Sequence, residues 1–320
     1  MTLDFLKIIG EKKFGRQKKT NLNYFMKKKI LILGASGMLG SMVYNVLKEK
    51  HSLVLGIRKA EEKELLETAY GPVQNHRFCE FDFNLIYQDY LKGFKDLATS
   101  ISFKKFIDDI GQIDYVINCA GIIIPHSLKD PANTMFINSA LPHLLSSVYK
   151  ERMIHVTTDC IYNGLEGFPY DENSDANSTD LYGLSKWLGE PKDCLTLRTS
   201  IVGPEISGFL SLLEWFKNQN GQTIKGFTKH FWNGVTTKQF AIICDKIIEN
   251  RNDFPQNGLF HIFSNTVSKY EMLLKFQEKY KIDCKIIPDD SKGINRTLAT
   301  IYPVCSKLQV PSFDEMLGNL

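Results

Sequence analysis

Tyr182 and Lys186 are the residues whose types and spacing most directly suggest chemistry, in a stretch that predicts a helix over residues 182–190. Residues four apart share one face of a helix. A phenol with a pKa of about 10 exchanges protons poorly at neutral pH, and we expect the nearby Lys186 ammonium to lower that pKa. The pair therefore predicts a general acid–base site, although the same spacing also occurs in purely structural helices.

Thr158 adds a second hydroxyl to this pair. It stands 24 residues before Tyr182, where a predicted strand, Met153–Thr157, comes to its end. We expect its hydroxyl to bond the same carbonyl oxygen as Tyr182. Lys186 is also suited to bond the ribose of a nicotinamide cofactor. The three side chains together predict chemistry at a carbonyl group.

Three glycines mark a turn between a strand and a helix. Gly34, Gly37 and Gly40 follow a short apolar run, Lys29–Leu33, and precede a helical pattern that begins at Leu39. Glycines permit a tight turn and close approach to a pyrophosphate, whose charge the helix amino end favours. The spacing differs from the common G-x-G-x-x-G, and a plain strand–helix turn is the alternative. The flanking elements favour a dinucleotide site.

The second predicted strand, Leu53–Ile57, points to the form of that dinucleotide. NAD-specific sites usually place an acid after this strand, whereas this chain has Arg58 and Lys59. Two cations suit a 2′-phosphate and predict NADP(H), with a solvated basic loop as the alternative. Asp82 follows the third predicted strand, His76–Phe81, and either contacts adenine or caps the next element.

The elements that must position these residues alternate along the chain. Strand followed by helix, repeated, predicts an α/β fold with a doubly wound, parallel, Rossmann-type sheet. We expect this domain over residues 26–203 and a smaller C-terminal α/β substrate lobe over 204–320, with about 237–263 returning to the first domain. Residues 1–25 are predicted to be a basic, disordered extension. The further predicted strands are Tyr115–Asn118, Cys194–Arg198, Leu259–Phe263 and Lys285–Pro288.

Composition limits the classes of function. The chain has 320 residues, 43% of them hydrophobic, and its apolar runs are too short to span a bilayer. Residues 1–29 carry a net charge of +7, which leaves −4 for the remainder and argues against a broad nucleic-acid surface. Seven scattered cysteines without a C-x-x-C pair predict reduced thiols in a cytoplasmic protein and no metal site.

Several further motifs accompany these residues, at Asn118–Gly121, Thr158–Gly164, Gly167–Tyr170, Tyr182–Glu190 and Leu197–Gly203. With the glycine turn, they resemble the extended short-chain dehydrogenase/reductase superfamily. Within it the chain is similar to the dTDP-4-dehydrorhamnose reductase branch, strongly over about residues 29–205 and loosely beyond.

This resemblance implies that NADPH reduces the 4-keto group of a 4-keto-6-deoxyhexose carried on a nucleoside diphosphate. Tyr182 would protonate the alkoxide, Lys186 would hold the ribose, and Thr158 would polarise the carbonyl. Asn138 matches a position that supports the active-site helix, or else is a structural amide. The residues expected to contact the cofactor are Gly34, Ser36, Gly37, Met38, Leu39, Arg58, Lys59, Asp82, Phe83, Cys119, Ala120, Gly121, Thr157, Tyr182 and Lys186. Those expected to contact the substrate are Thr158, Asp159, Tyr182 and Arg296.

Three other functions share this sequence pattern. A 4,6-dehydratase needs Thr-Asp-Glu after the strand, and Cys160 in the third position counts against it. A sugar-nucleotide epimerase would use the same Tyr and Lys, but it normally retains NAD, which Arg58 and Lys59 disfavour. A non-catalytic NADP-binding subunit, similar to the β subunit of methionine adenosyltransferase, stays open. We expect a nucleotide sugar as ligand, neither nucleic acid nor membrane as partner, and leave a homodimer open.

Overall fold

The computed structural model describes residues 27–93, 96 and 99–320. The predicted basic extension, residues 1–25, lies outside the described residues. The strands are β1 (Lys29–Leu33), β2 (Ser52–Ile57), β3 (Arg77–Glu80), β4 (Tyr115–Asn118), β5 (Met153–Thr158), β6 (Leu195–Thr199), β7 (Ile201–Val202), β8 (Thr223–Phe227), β9 (His230–Trp232), β10 (Val235–Thr236), β11 (Gly258–His261), β12 (Val267–Ser268), β13 (Lys285–Asp289) and β14 (Ile294–Asn295). The helices are α1 (Met38–Leu47), α2 (Glu61–Tyr70), α3 (Asn84–Leu91), α4 (Ile101–Ile110), α5 (Ile124–Ser127), α6 (Pro131–Met135), α7 (Leu141–Tyr149), α8 (Leu181–Leu188), α9 (Leu212–Lys217), α10 (Thr237–Glu249), α11 (Lys269–Tyr280), α12 (Val304–Leu308) and α13 (Phe313–Gly318).

A seven-stranded parallel sheet forms the centre of the molecule, in the order β11-β6-β5-β4-β1-β2-β3. Its middle strands are mostly apolar because helices cover both faces; Ile30–Leu33 are at most 1% exposed. α1 and α10 cover one face, and α4 and α7 cover the other. The predicted doubly wound sheet is confirmed.

The strand order reverses between β1 and β4, because the chain first builds β2 and β3 outward and then returns to the other side of β1. Open α/β sheets bind ligands in the crevice at such a switch point, at the carboxyl ends of the strands. Gly34 follows β1 directly and Cys119 follows β4. The switch point therefore brings the glycine turn beside the start of the loop after β4.

The segment from Pro131 to Tyr149 is not one continuous α-helix. α6 and α7 are separated by a π-helical segment, Phe136–Ala140. Pro142, in the first turn of α7, has no N–H to donate to the preceding turn. A π segment inserts one extra residue and re-aims the side chains around it. Here it turns Asn138 inward, to 1% exposure.

The C-terminal region adds small sheets beside the central one. β9 pairs with β12 and β14, β8 pairs with β13, and β7 pairs with β10. Their common core is apolar and includes Leu213, Phe216, Phe276 and Phe313. β11 returns to the central sheet as the partner of β6. No helix among the described residues has both the length and the apolar character needed to cross a bilayer.

Candidate active site

α8 carries the predicted Tyr–Lys pair, and its first turn is fixed by Asp180. The Asp180 carboxylate accepts a hydrogen bond of 2.8 Å from the Gly183 N–H, an N-cap that satisfies one of the free donors of the helix. Tyr182 and Lys186 follow on one side of α8, beside the carboxyl end of β5. The helix predicted over residues 182–190 is therefore present, as Leu181–Leu188.

The Tyr182 hydroxyl lies near Thr158, whose own hydroxyl donates a hydrogen bond of 3.2 Å to the Asp159 carboxylate. Burial raises the pKa of Tyr182, Cys160 and the carboxylates of Asp159 and Asp180 raise it further, and the Thr158 contact opposes them. The expectation that Lys186 lowers this pKa is wrong for this arrangement. The phenol is protonated at neutral pH, which is the form that can donate a proton, but its raised pKa makes it a weaker acid than a free phenol.

Lys186 is held against the same strand by a different contact. Its Nζ donates a hydrogen bond of 3.1 Å to the Val156 carbonyl, and the residue is only 6% exposed. Burial lowers the pKa of Lys186 to about 8, with Glu190 and Cys119 opposing the shift. A Cβ built on Gly121 would lie 3.8 Å from Nζ. The ammonium therefore faces the loop after β4, where a cofactor is expected.

Asn138 connects that loop to α8. Its amide exchanges two hydrogen bonds with the Ile122 backbone, from N to Oδ1 at 2.8 Å and from Nδ2 to O at 2.9 Å. Nδ2 also donates to the Ser185 hydroxyl at 3.1 Å. Asn138 therefore supports the helix that carries Tyr182 and Lys186, one of the two interpretations that the sequence left open.

The glycine turn has the shape and the free donors that a pyrophosphate requires. Gly34 has a φ of +69°, and a Cβ on it would lie 3.0 Å from the Ala120 backbone. The N-cap of α1 is Gly37, which offers no side chain to the first N–H groups, and the first turn carries no acid. Those N–H groups and the helix dipole suit an anion. Met38 begins the helix, and Leu39 turns its side chain into the core.

The other residues predicted to contact the cofactor form two groups, one near Lys186 and one directly after β3. The Thr157 hydroxyl is buried and has no hydrogen-bond partner among the described residues. Cys119 lies close enough to Lys186 to raise the pKa of its ammonium. At the adenine end, the Asp82 carboxylate accepts a hydrogen bond of 3.0 Å from the Asn84 N–H at the start of α3. Phe83 packs edge-to-face on Phe81 and Phe106. In this structure Asp82 and Phe83 serve the local fold.

Arg58 and Lys59 are exposed at the end of β2, as expected. The structure adds a neighbour that sequence reasoning missed, Glu62 in the first turn of α2. The Glu62 carboxylate accepts hydrogen bonds from the Ser36 hydroxyl at 2.6 Å and from the Arg58 N–H at 3.1 Å. Sequence reasoning did not identify Glu62 because it lies far along the chain from the glycine turn.

A group of charged side chains lies close to Asp159 and Cys160, the two residues after Thr158. Arg296 reaches the site from the residue after β14, and its Nη1 lies 3.5 Å from the Cys160 sulfur. Burial raises the pKa of Asp159, and the cations of Arg296 and Lys269 oppose this. Burial, Lys269 and Arg296 lower the pKa of His230 to about 4. Sequence reasoning found Arg296 and missed Lys269 and His230, which lie on α11 and β9.

Gly164 allows Arg296 to come this close. Its φ is +75°, and a Cβ on it would lie 2.9 Å from Arg296 Cγ and 2.7 Å from Ile294 Cγ2. The Asn295 N–H donates to the Gly164 carbonyl at 2.8 Å. The backbone after β5 and the strand β14 therefore meet only where the chain carries no side chain.

Other residues of the sequence motifs form a buried hydrogen-bond network that supports the site. The Arg198 guanidinium donates to both oxygens of the Glu190 carboxylate, at 3.0 and 2.6 Å, and to the Tyr162 hydroxyl at 2.6 Å. Tyr162 stacks on Tyr170 with ring centres 3.9 Å apart. Glu172 accepts from the His261 N–H at 2.8 Å. This buried network ties the end of α8 to β6, β11 and the loop after β5.

The strand order and the glycine turn define a doubly wound, Rossmann-type α/β protein. More narrowly, the chain belongs to the RmlD substrate binding domain family, whose model matches residues 27–309.

Known proteins give the range of activities that accompany this fold. The chain is 25% identical over 251 residues to the probable low-salt glycan biosynthesis reductase Agl14 of Haloferax volcanii, spanning 73% of this chain and 74% of that protein. The dTDP-4-dehydrorhamnose reductase of Bacillus anthracis, solved with NADP, superposes with a TM-score of 0.64 at 16% identity, over 92% of this chain and 98% of that one. A UDP-N-acetylglucosamine 4-epimerase of Methanobrevibacter ruminantium superposes with a TM-score of 0.66 at 16% identity, over 91% and 96%. Reductases and epimerases thus share the fold.

Proposed function

We propose that this protein reduces the 4-keto group of a nucleoside-diphosphate-linked 4-keto-6-deoxyhexose, with NADPH as the reductant. The observation that carries the proposal is that Tyr182 of α8 lies beside Thr158, at the end of the strand whose Val156 carbonyl also holds Lys186. Two hydroxyls and an ammonium beside a dinucleotide turn suit proton delivery to a carbonyl oxygen. The family match supports a sugar nucleotide as the substrate.

The roles of the residues follow from their positions. Bound NADPH would supply the hydride. Thr158 donates a hydrogen bond to the substrate carbonyl, and Tyr182, which is protonated at neutral pH, transfers its proton to the same oxygen. Lys186 binds the ribose hydroxyls, and the N–H groups of Met38 and Leu39 in the first turn of α1 bind the pyrophosphate.

Away from the glycine turn, the cations near Asp159 are suited to bind the diphosphate of the substrate. Arg296 and Lys269 approach from the C-terminal region, and charge-assisted hydrogen bonds are the usual way in which proteins hold phosphate oxygens. The Arg296 Nε is buried and has no partner among the described residues, so this donor is free to take part. All seven cysteines are free, in keeping with a reducing cytoplasm.

Tyr182→Phe tests the assignment of the general acid. Turnover of NADPH with a panel of nucleotide-linked 4-keto sugars is expected to fall by about two orders of magnitude or more, with NADPH affinity unchanged. Tyr149→Phe is the matched control, because that hydroxyl is buried, has no hydrogen-bond partner in the described part of the chain and lies outside the site. Its turnover is expected to stay within about twofold of the wild type.

Wild-type turnover in Tyr182→Phe would contradict the assigned role. Interconversion of two sugars without net use of NADPH would favour an epimerase. Binding of NADP without turnover of any sugar would favour a regulatory subunit.

A further inference from the structure

Glu62 occupies the space between the glycine turn and the end of β2. Its Oε2 accepts hydrogen bonds from the Ser36 hydroxyl at 2.6 Å and the Arg58 N–H at 3.1 Å, and its Oε1 lies 3.7 Å from Arg58 Nε. The Glu62 side chain is 17% exposed, whereas that of Arg58 is 63% exposed. The carboxylate is therefore well fixed, and the guanidinium is turned toward it.

These donors are the ones that a 2′-phosphate would need. In a dinucleotide bound at the glycine turn, the adenosine ribose lies by the end of the second strand, between Ser36 and Arg58. A phosphate there would meet a like charge and find its hydrogen-bond donors already engaged. A ribose that keeps its hydroxyls would instead find a carboxylate acceptor of the kind that holds NAD.

We propose that Glu62 determines the cofactor preference of this protein, a proposal that rests on the reductase function given above. Glu62 accepts the ribose hydroxyls of NADH and opposes the 2′-phosphate of NADPH. NADPH binds by displacing the carboxylate and taking over its bonds to Ser36 and Arg58. A cavity of about 410 Å³, lined by Glu62, Leu65 and Ile206 among others, gives the displaced side chain room. Glu62 thereby limits the preference for NADPH that Arg58 and Lys59 create.

Binding of fragments isolates this effect from catalysis. The probes are 2′,5′-ADP, which carries the 2′-phosphate, and ADP, which lacks it, each titrated calorimetrically into the full chain. Glu62→Gln keeps the size and removes the charge, so we expect 2′,5′-ADP to bind about tenfold more tightly than in the wild type. ADP is not expected to bind more than about twofold more tightly to this variant than to the wild type. In the same way, we expect the substitution to strengthen binding of NADPH more than binding of NADH.

Glu64→Gln is the matched control. Glu64 lies on the same helical turn and lines the same cavity, but no hydrogen bond joins it to Ser36 or Arg58. It removes the same charge and is expected to change the ratio of the two affinities by less than about twofold. Glu62→Ala, which also removes the acceptor, is expected to favour 2′,5′-ADP as Glu62→Gln does.

An unchanged ratio in both Glu62 variants, or an equal rise in Glu64→Gln, would overturn the role of Glu62 while leaving the reductase proposal intact. If the wild-type chain bound neither probe nor either cofactor, the proposed function itself would fall, and this inference with it.

Discussion

Lys186→Met is expected to make the folded chain more stable at neutral pH while removing a group that the reaction needs. Burial lowers the pKa of Lys186 from 10.5 to about 8, so the buried ammonium is about 3 kcal/mol less favourable than the one in the unfolded chain. Methionine avoids this cost and has a similar shape. The lost hydrogen bond to the Val156 carbonyl takes back about 1 kcal/mol. The net gain is about 2 kcal/mol, or about 4 °C in Tm for a chain of this size.

The pH dependence of this gain identifies its cause. Between about pH 8 and 10.5 the unfolded state binds a proton at Lys186 that the folded state has released. Stability therefore rises with pH in this window for the wild type only. Thermal unfolding by circular dichroism at about pH 7 and pH 10, without cofactor, should show the difference in Tm shrinking at the higher pH. Exposed Lys192 provides the control, because Lys192→Met is expected to leave Tm unchanged. A variant less stable than the wild type at pH 7, or a difference independent of pH, would refute the reasoning.

Two further substitutions test the packing behind the site. A Cβ on Gly189 would overlap the Asn138 carbonyl oxygen, so Gly189→Ala should lower both Tm and turnover. Gly318→Ala is the control, because its added Cβ meets no atom within 4 Å, and it should change neither quantity. Arg198→Met leaves the Glu190 carboxylate without its bidentate partner. We expect the free energy of unfolding, measured in urea, to fall by about 3–5 kcal/mol. A fall below about 1 kcal/mol would show that water reaches this carboxylate.

The central sheet was predictable because a parallel sheet imposes one simple demand. Each middle strand is buried on both faces, so it contains a short apolar run, as Ile30–Leu33 and Tyr115–Ile117 show. The helix α2 was not predicted because half of its residues are charged and it buries only Leu66. The π segment escaped because inserting one residue leaves a helical pattern almost unchanged. Only the position of Asn138 in three dimensions reveals it.

The site divides in the same way. Tyr182, Lys186 and Thr158 could be predicted because helix periodicity and strand order bring them together. Lys269 and Glu62 could not, since their place in the site depends on how α11 and α2 pack, and a charged residue in the first turn of a helix is usually solvated. The sign of the change in the Tyr182 pKa was also beyond reach, because burial outweighs the charges that a sequence displays.

The most direct test of the proposed chemistry follows a labelled hydrogen. NADPH deuterated at the transferable position of the nicotinamide is incubated with the protein and a nucleotide-linked 4-keto-6-deoxyhexose, and the sugar is analysed by NMR. The proposed function predicts one deuterium at C4 of a single stereoisomer, and a Tyr182→Phe sample in which the label stays on the cofactor. Product without deuterium at C4, or equal labelling in the two samples, would contradict it.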